Sequence, residues 1–313
     1  MAGEDVDAAH ETRGGPDDDA IGCHGALVIL ASVPLAIGQG RLRSDPCRRV
    51  PNLAVLIPVY NAVEDLARTL DSVDAQGCDL DIVVVDDGSI PPTLIDPARY
   101  VHPVVLLRQP VNRGVTAALN VGLRYVLSRP YTYVARQDAG DLDLGDRLST
   151  QLAYLEAHPE VALVGGFTRH VDANGRTLFH THYPEHWGAI RRRMRYRTAF
   201  SHPTCMMRTS VLRAVGYYDE SVDLAQDYDL FRRVAEKFPC ANVPKVLVSR
   251  SESGPSVVRV HRRAAERDRI VVQLRYFSPY DVHCYLGLVR SAIVYLVPRR
   301  IAQGLRRRWG ITR

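Results

Sequence analysis

Carboxylates at three places along this chain could do chemistry: Asp86-Asp87, Asp138 with Asp141, and Asp227. The first pair closes the run Asp81-Ile-Val-Val-Val-Asp-Asp-Gly-Ser89. Ile82 to Val85 are β-branched and suit a pleated strand. A short apolar run bounded by turn residues reads as a strand covered on both faces. Asp86 and Asp87 then stand at its C-terminal end, where open α/β sheets bind their ligands. Two adjacent carboxylates there are costly unless they meet a donor or a metal. Asp86 can also be read as a turn or cap residue. Asp227 opens an amphipathic run, where a carboxylate serves as a helix N-cap or as a proton acceptor, with Asp229 as the alternative acceptor.

The elements that must carry these residues follow from apolar periodicity. Leu53–Val59 reads as a buried strand leading into Tyr60-Asn61. Val63, Leu66, Leu70 and Val73 fall at helical spacing on one face, and Gly77 closes that helix. With the strand Asp81–Val85 this makes a βαβ unit, whose right-handed crossover sets the two strands parallel. Val104–Leu107 is a third strand, and Asn112-Arg-Gly114 turns into a helix with Val115, Leu119, Leu123 and Val126 inward. Tyr131–Ala135 is a fourth strand, running into Gln137-Asp-Ala-Gly-Asp141. A helix from about Asp146 buries Leu148, Leu152 and Leu155, and Val161–Gly165 is a fifth strand. Residues 167–200 read as loop-rich, with surface histidines His170, His180, His182 and His186 that lack compact ligand spacing. The five arginines of Arg191–Arg197 could contact a lipid diphosphate or an acidic glycan, or form a solvated helix face. Thr209 or Ser210 is expected to cap a short helix. Asp227 starts another, with Leu230, Phe231, Val234 and Phe238 inward, and Val243–Val248 is a late strand.

Composition narrows the function classes. The apolar share of 46% is that of a globular protein. The net charge of +5 is uneven: residues 1–20 are acidic, whereas Arg299, Arg300, Arg306, Arg307, Arg308 and Arg313 close the chain without an acid among them. Six scattered cysteines have no C-x-x-C spacing, which argues against a zinc site or a disulfide framework and for a reducing compartment. The acidic N-terminus is unlike a secretory signal. Ala26–Ile37 is shorter than the ~20 residues that span a bilayer. No G-x-G-x-x-G or G-x-x-x-x-G-K-[ST] is present, so a nucleotide would be held by side chains and a metal. The basic stretches lack interleaved aromatics, which speaks against nucleic acid.

Val55-Leu-Ile-Pro-Val-Tyr-Asn61, Val83-Val-Val-Asp-Asp-Gly-Ser89, Asn112-Arg-Gly114 with Asn120, Tyr133-Val-Ala-Arg-Gln-Asp-Ala-Gly-Asp141 and Ala225-Gln-Asp-Tyr-Asp-Leu230 occur in the order of the family 2 glycosyltransferases. The chain resembles that family over roughly residues 53–250. The resemblance implies an α/β GT-A fold, a Rossmann-like, mostly parallel sheet with helices on both faces, here followed by a helical basic C-terminal tail. It implies inverting transfer from a nucleotide-diphosphate sugar. The nucleotide would be held by Pro58, Tyr60, Asn61, Asp87, Arg113 and Asp138. Tyr60 would pack on the base, and Asp87, acceptor-only, would take its imide N–H. A divalent metal, Mn²⁺ or Mg²⁺, would sit on Asp138 and Asp141 and neutralise the departing diphosphate. The usual Asp-x-Asp-Asp is Asp138-Ala-Gly-Asp141 here, so Gly140 replaces the carboxylate most often assigned to the metal. Asp141 could instead cap a turn. Asp227 matches the catalytic base, and its neighbour is the neutral Gln226 where the family often has Glu. His202 and Gln226 would lie on the acceptor or diphosphate side.

These readings divide the chain into an acidic, disordered extension with a short apolar segment (1–50), a transferase domain (51–250, nucleotide half 51–145 and acceptor half 146–250) and a tail (251–313). Val282–Val297 reads either as an interfacial helix, with the arginines beyond it reaching anionic headgroups, or as a helix packed on the domain. The expected function is transfer of a sugar to a hydroxyl of a glycan or lipid-linked acceptor in envelope or exopolysaccharide synthesis. The expected location is the cytoplasm, peripheral at the inner face of the plasma membrane. Alternatives are a non-catalytic nucleotide-sugar or glycan-binding protein, suggested by Gly140 and Gln226, and a sugar-phosphate nucleotidyltransferase, whose Gly-rich, Arg-containing loop is missing here.

Overall fold

A computed structural model describes residues 52–252 and 261–297. The extension 1–50 and the arginines beyond Val297 lie outside the described residues. The chain builds β1 (Leu53–Val59), α1 (Val63–Asp74), β2 (Leu80–Asp86), β3 (Val104–Arg108), α2 (Val115–Leu127), β4 (Tyr133–Arg136), β5 (Leu142–Asp143) and α3 (Arg147–Ala157). It continues through β6 (Leu163–Val171), β7 (Thr177–Thr181), α4 (Trp187–Arg193), β8 (Met206–Arg208), α5 (Thr209–Val215), α6 (Gln226–Lys237), β9 (Cys240–Ser251), α7 (Arg262–Arg275) and α8 (Val282–Leu296). The strands form one sheet ordered β3-β2-β1-β4-β8-β6-β9-β5, with β7 on β6.

β1, β2, β3 and β4 run parallel, and so do β6 and β9; β8 and β5 join antiparallel. This is the expected Rossmann-like α/β arrangement with helices on both faces. Alternation along β1 and β2 explains the two faces. Val55, Ile57, Ile82 and Val84 pack with Leu66, Leu70 and Val73 of α1 and Leu148 and Leu155 of α3. Leu56, Val83 and Val85 pack with Leu119, Leu123 and Val126 of α2 and Leu230, Phe231 and Val234 of α6. Each such side chain contributes about 1.5–3 kcal/mol by leaving water.

Several expectations need correction. Val63 begins α1 on its exposed side, and α1 ends at Asp74, capped by Ala75 rather than closed by Gly77. Residues 167–200 are not mainly loop: β6 runs on to Val171, pairs with β7 as a hairpin, and α4 follows. His170 is inside that hairpin region, stacked on Phe179 and bonded to Glu252, while His180, His182 and His186 are exposed. Thr209 is the first residue of α5 and not its cap; its hydroxyl donates to the carbonyl of Tyr131 at 2.8 Å. The tail helices are docked on the domain. Asp229 of α6 accepts from Arg275 and Tyr276 at the end of α7. α8 lies on Arg195–Tyr196 so closely that a Cβ on Gly287 would come 2.7 Å from the Arg195 carbonyl.

One buried charge ties the loop after β4 to the rest. Arg147 is fully buried and forms an ion pair with Asp143. It also donates to Gln151 at 3.1 Å, to Gln137 at 3.2 Å and to the carbonyl of Arg136 at 2.7 Å. Arg147→Met leaves the Asp143 carboxylate buried and uncompensated, and should destabilise the fold by about 3–5 kcal/mol in urea denaturation. Removing both charges, with Asp143→Leu added, should lose less than Arg147→Met alone.

Candidate active site

The strand ends converge on one edge of the sheet, and the two carboxylates after β2 separate in role there. Asp86 is fully buried and engaged: it accepts from Ser89 N at 2.9 Å, Thr93 N at 3.1 Å and Arg108 at 2.5 Å. It shapes the turn. Asp87 is also buried and accepts from Gln109 at 2.6 Å and from the backbone N–H of Arg113 and Gly114, both at 2.9 Å. Burial raises the Asp87 carboxyl, and those two backbone donors oppose it. A carboxylate has about four acceptor positions, so Oδ2, with one donor, keeps room for another.

Tyr60, 48% exposed, stands beside this turn with its ring free to solvent. Asn61 takes a left-handed φ of 49° and clasps the turn from the other side, its N–H to Ser89 Oγ and its Oδ1 to Ile90 N. Pro58 does not face the site: it is buried within β1 opposite Val85. The Arg113 side chain is exposed and lies 3.7 Å from Glu220, so its backbone, not its guanidinium, serves Asp87.

The loop after β4 carries the second group. Thr69 Oγ1 pins it, accepting from Gly140 N at 2.9 Å and donating to the carbonyl of Asp141 at 2.9 Å. Asp138 forms an ion pair with the buried Arg136. Burial disfavours its charge, but Arg136 and Arg250 outweigh that and hold its carboxyl at about 2. Asp141 closes the turn through its backbone N–H to Asp138 O, so its side chain is not the cap. That side chain is 5% exposed, and Oδ2 has no partner. Burial and the Asp138 charge push it up to about 7.

The acceptor half supplies the rest. His202 opens a 3-10 turn, its Nε2 2.9 Å from the Tyr218 hydroxyl and its ring edge-on to Phe231. Burial, then Arg136, lowers it to about 3, so the ring is neutral. Asn120 holds Tyr218 in place through both its backbone groups. Gln226 and Asp227 are the first two residues of α6 and are half-buried. The cap position is Ala225, so Asp227 is not the N-cap. One oxygen of Asp227 accepts from Tyr228 N at 2.7 Å. Burial raises its carboxyl, with Asp138 adding to that. Asp229 is no alternative base, because Arg233, Arg275 and Tyr276 occupy its buried oxygens.

Sequence reasoning missed Arg136, Tyr183, Tyr218 and Arg250. Tyr183 lies under Arg193, 5.1 Å from guanidinium to ring; burial, with Asp227 adding to it and Arg193 and Arg250 opposing it, pushes its hydroxyl up to about 12. Arg136 stood inside a motif whose acids drew attention. Arg250 had no signal except a charge near the end of the last strand. The expected divalent cation on Asp138 and Asp141 meets a poor ligand set. Arg136 holds one carboxylate, the other is almost wholly buried, and no three Asp, Glu, His or Cys side chains gather as a cation site among the described residues.

Comparison with known proteins gives the family and the fold. The profile of glycosyl transferase family 2 matches residues 54–216. The amylovoran biosynthesis glycosyltransferase AmsE of Erwinia amylovora is 31% identical over 254 residues, covering 78% of this chain and 91% of that protein. The fold is similar to S. aureus TarS 1–349 in complex with UDP-GlcNAc, with TM-score 0.57, 16% identity, and 78% and 72% of the two chains covered. It is also similar to the Pyrobaculum calidifontis mannosyltransferase PcManGT in complex with GDP-Man and Mn²⁺, with TM-score 0.54, 18% identity, and 81% and 72% covered.

The neutral His202 gives a direct test. Its folded value of about 3 lies below the 6.5 of an unperturbed ring, so the unfolded chain binds the proton first. His202 therefore lowers stability as pH falls through that window and costs nothing above it. Its NMR ring signal should stay unprotonated from about pH 8 down to about pH 5; a midpoint near 6.5 would refute the assignment.

Proposed function

The chain belongs to glycosyl transferase family 2, and from that premise we propose that it transfers a sugar from a nucleotide-diphosphate sugar to a hydroxyl of a glycan or lipid-linked acceptor, with inversion. The observation that carries this reading is Asp227: a raised, half-buried carboxylate on the first turn of α6, with one oxygen engaged only by the neighbouring backbone N–H. Inversion is a single displacement and needs one base on the acceptor side. Asp227 takes the proton of the acceptor hydroxyl as its oxygen attacks the anomeric carbon. A raised carboxyl is the stronger base at neutral pH. Tyr60 offers a face for the nucleotide base, and Asp87 has an acceptor position for its N–H. Asn61 holds the turn between them. Asp87 also fixes the Arg113-Gly114 backbone beside the site. His202, neutral, and Gln226 line the side where acceptor and diphosphate meet. The relative's name supports polysaccharide synthesis as the setting.

Asp227→Asn should cut transfer by about 10²–10⁴-fold while donor binding by calorimetry is retained. In the wild type kcat/KM should decline as pH drops and Asp227 takes up its proton, at a pH above the ordinary carboxylate range. An unchanged rate in Asp227→Asn removes the base assignment. Gly140 and Gln226 favour a second reading, a nucleotide-sugar or glycan-binding protein without turnover. Slow hydrolysis of UDP-, dTDP- or GDP-sugars separates the two, because a binding protein releases no free sugar.

We also propose that the enzyme works in the cytoplasm, held at the inner face of a membrane, and α8 supports the surface contact. Among the described residues no helix is long and apolar enough to cross a bilayer. α8 packs through Cys284, Gly287 and Ser291 and leaves Val282, Leu286, Val289, Ile293 and Leu296 exposed along one stripe. The chain then continues into six arginines without an acid. Such a stripe, with cations beside it, suits the surface of an anionic bilayer. The protein should float with phosphatidylglycerol vesicles and not with phosphatidylcholine vesicles, and Leu286→Asp with Ile293→Asp should abolish flotation. Equal flotation of that variant would refute the role of α8.

A further inference from the structure

The charges around Asp138 are balanced by arginine, and among the described residues one guanidinium there has no hydrogen-bond or ion-pair partner. Arg136, 4% exposed, holds Asp138. Arg250 lies near the end of β9, opposite His170 of β6. It is half-buried, and among the described residues it makes no hydrogen bond and no ion pair within 4 Å. β5 pairs antiparallel with β9 at Leu142–Ser249 and Asp143–Val248, which sets Asp141 beside Arg250. The Arg250 charge acts on Asp138 and Asp141, and theirs and that of Glu252 on it. Burial disfavours its charge, but Asp141, Asp138 and Glu252 outweigh that and favour the guanidinium, whose five N–H donors stay open. An anion at this edge of the sheet would find those donors ready to pair.

The carboxylate side of the same site is too sparse for a hard cation. Gly140 offers no ligand, and its φ of +98° strains any side chain placed there. A Cβ at Gly140 would lie 3.6 Å from the Asp65 side chain, and Asp65 is paired with Arg68. Asp138 is shared with Arg136, and Asp141 is almost wholly buried.

We propose that Arg250 supplies the positive charge against which the nucleoside diphosphate departs, in place of a divalent cation, with Arg136 as the positioning residue that holds Asp138. The inference rests on the glycosyltransferase reading. In the step, the acceptor oxygen forms its bond to the anomeric carbon while the bond from that carbon to the diphosphate oxygen breaks. The bonding pair leaves on the diphosphate, the acceptor proton passes to Asp227, and the N–H groups of Arg250 donate to the departing oxygens. Atoms and charge balance with no further reactant. Arginine suits this place because it stays charged at every working pH and can grip two phosphate oxygens at once. Its donors strengthen as charge builds on the leaving group.

The test is calorimetric titration of the full chain with UDP, GDP and dTDP, and with uridine, guanosine and thymidine, in EDTA and in Mn²⁺. One diphosphate should bind equally well in both buffers. Arg250→Gln should weaken that diphosphate by about tenfold to a hundredfold and leave the matching nucleoside unchanged. Arg250→Lys should restore part of the loss. Binding lost in EDTA and regained with Mn²⁺ overturns the arginine while leaving the donor reading intact. So does an Arg250→Gln protein that binds like wild type. The EDTA arm needs no variant and decides alone if Arg250→Gln fails to fold. If none of the six compounds binds in either buffer, the donor reading falls and this inference with it.

Discussion

A guanidinium shut away from water is tolerable only when its N–H groups find acceptors, and Arg147 meets that demand with four groups from the strand, loop and helix on either side of it. Asp143 follows the loop after β4, Gln137 begins it, the Arg136 carbonyl ends the strand before it, and Gln151 lies one turn along α3. Gln151 in turn donates to the carbonyls of Val164 in β6 and Thr204 beside His202. A single charge thus sets the loop bearing Asp138 and Asp141 against the turn bearing His202. Apolar replacements of a buried ion pair are often as stable as the pair itself. What Arg147 contributes is position: a cluster of apolar side chains could fill the same volume without fixing three backbone segments in register.

The carboxylates sort by the same rule. Where the fold needs a turn or a helix junction held, every oxygen is engaged, as at Asp86 and Asp229. Where an acceptor position is left over, the group sits at the edge where strand ends and helix starts meet, as at Asp87 and Asp227. Burial raises both. For Asp87 the cost is reduced by backbone donors that also shape the Arg113-Gly114 turn. For Asp227 it is opposed by the Tyr228 N–H and by Arg269, and the carboxyl still ends raised.

The order of elements was legible because the parallel half of the sheet is buried on both faces, and its strands are unbroken runs of Val, Ile and Leu. The same reading failed across residues 167–200, where the β6–β7 hairpin is half exposed and built from His, Thr, Arg and Phe, so no aliphatic alternation marks it. It also failed at Val63, whose helical spacing is right but whose place on the first turn lies past the edge of the core. At the site, acids announce themselves by standing at the ends of apolar runs. Arginines do not. In a chain with only two lysines, Arg136, Arg147 and Arg250 look like the general bias, and only tertiary burial separates them from the solvated ones.

That hidden set changes the electrostatics of the site. Asp-x-Asp-Asp would place three carboxylates in four residues, a charge that calls for a cation before any diphosphate can approach. With Gly140 in the third position, two carboxylates face Arg136 and Arg250, and the formal sum is zero. Burial and Asp138 raise the Asp141 carboxyl, which shifts the balance toward positive. In a partly desolvated cleft the attraction between opposite charges is several-fold stronger than in water. A field of that sign, built from the chain itself, would suit the proposed diphosphate, and the missing carboxylate goes with a guanidinium that has no partner among the described residues.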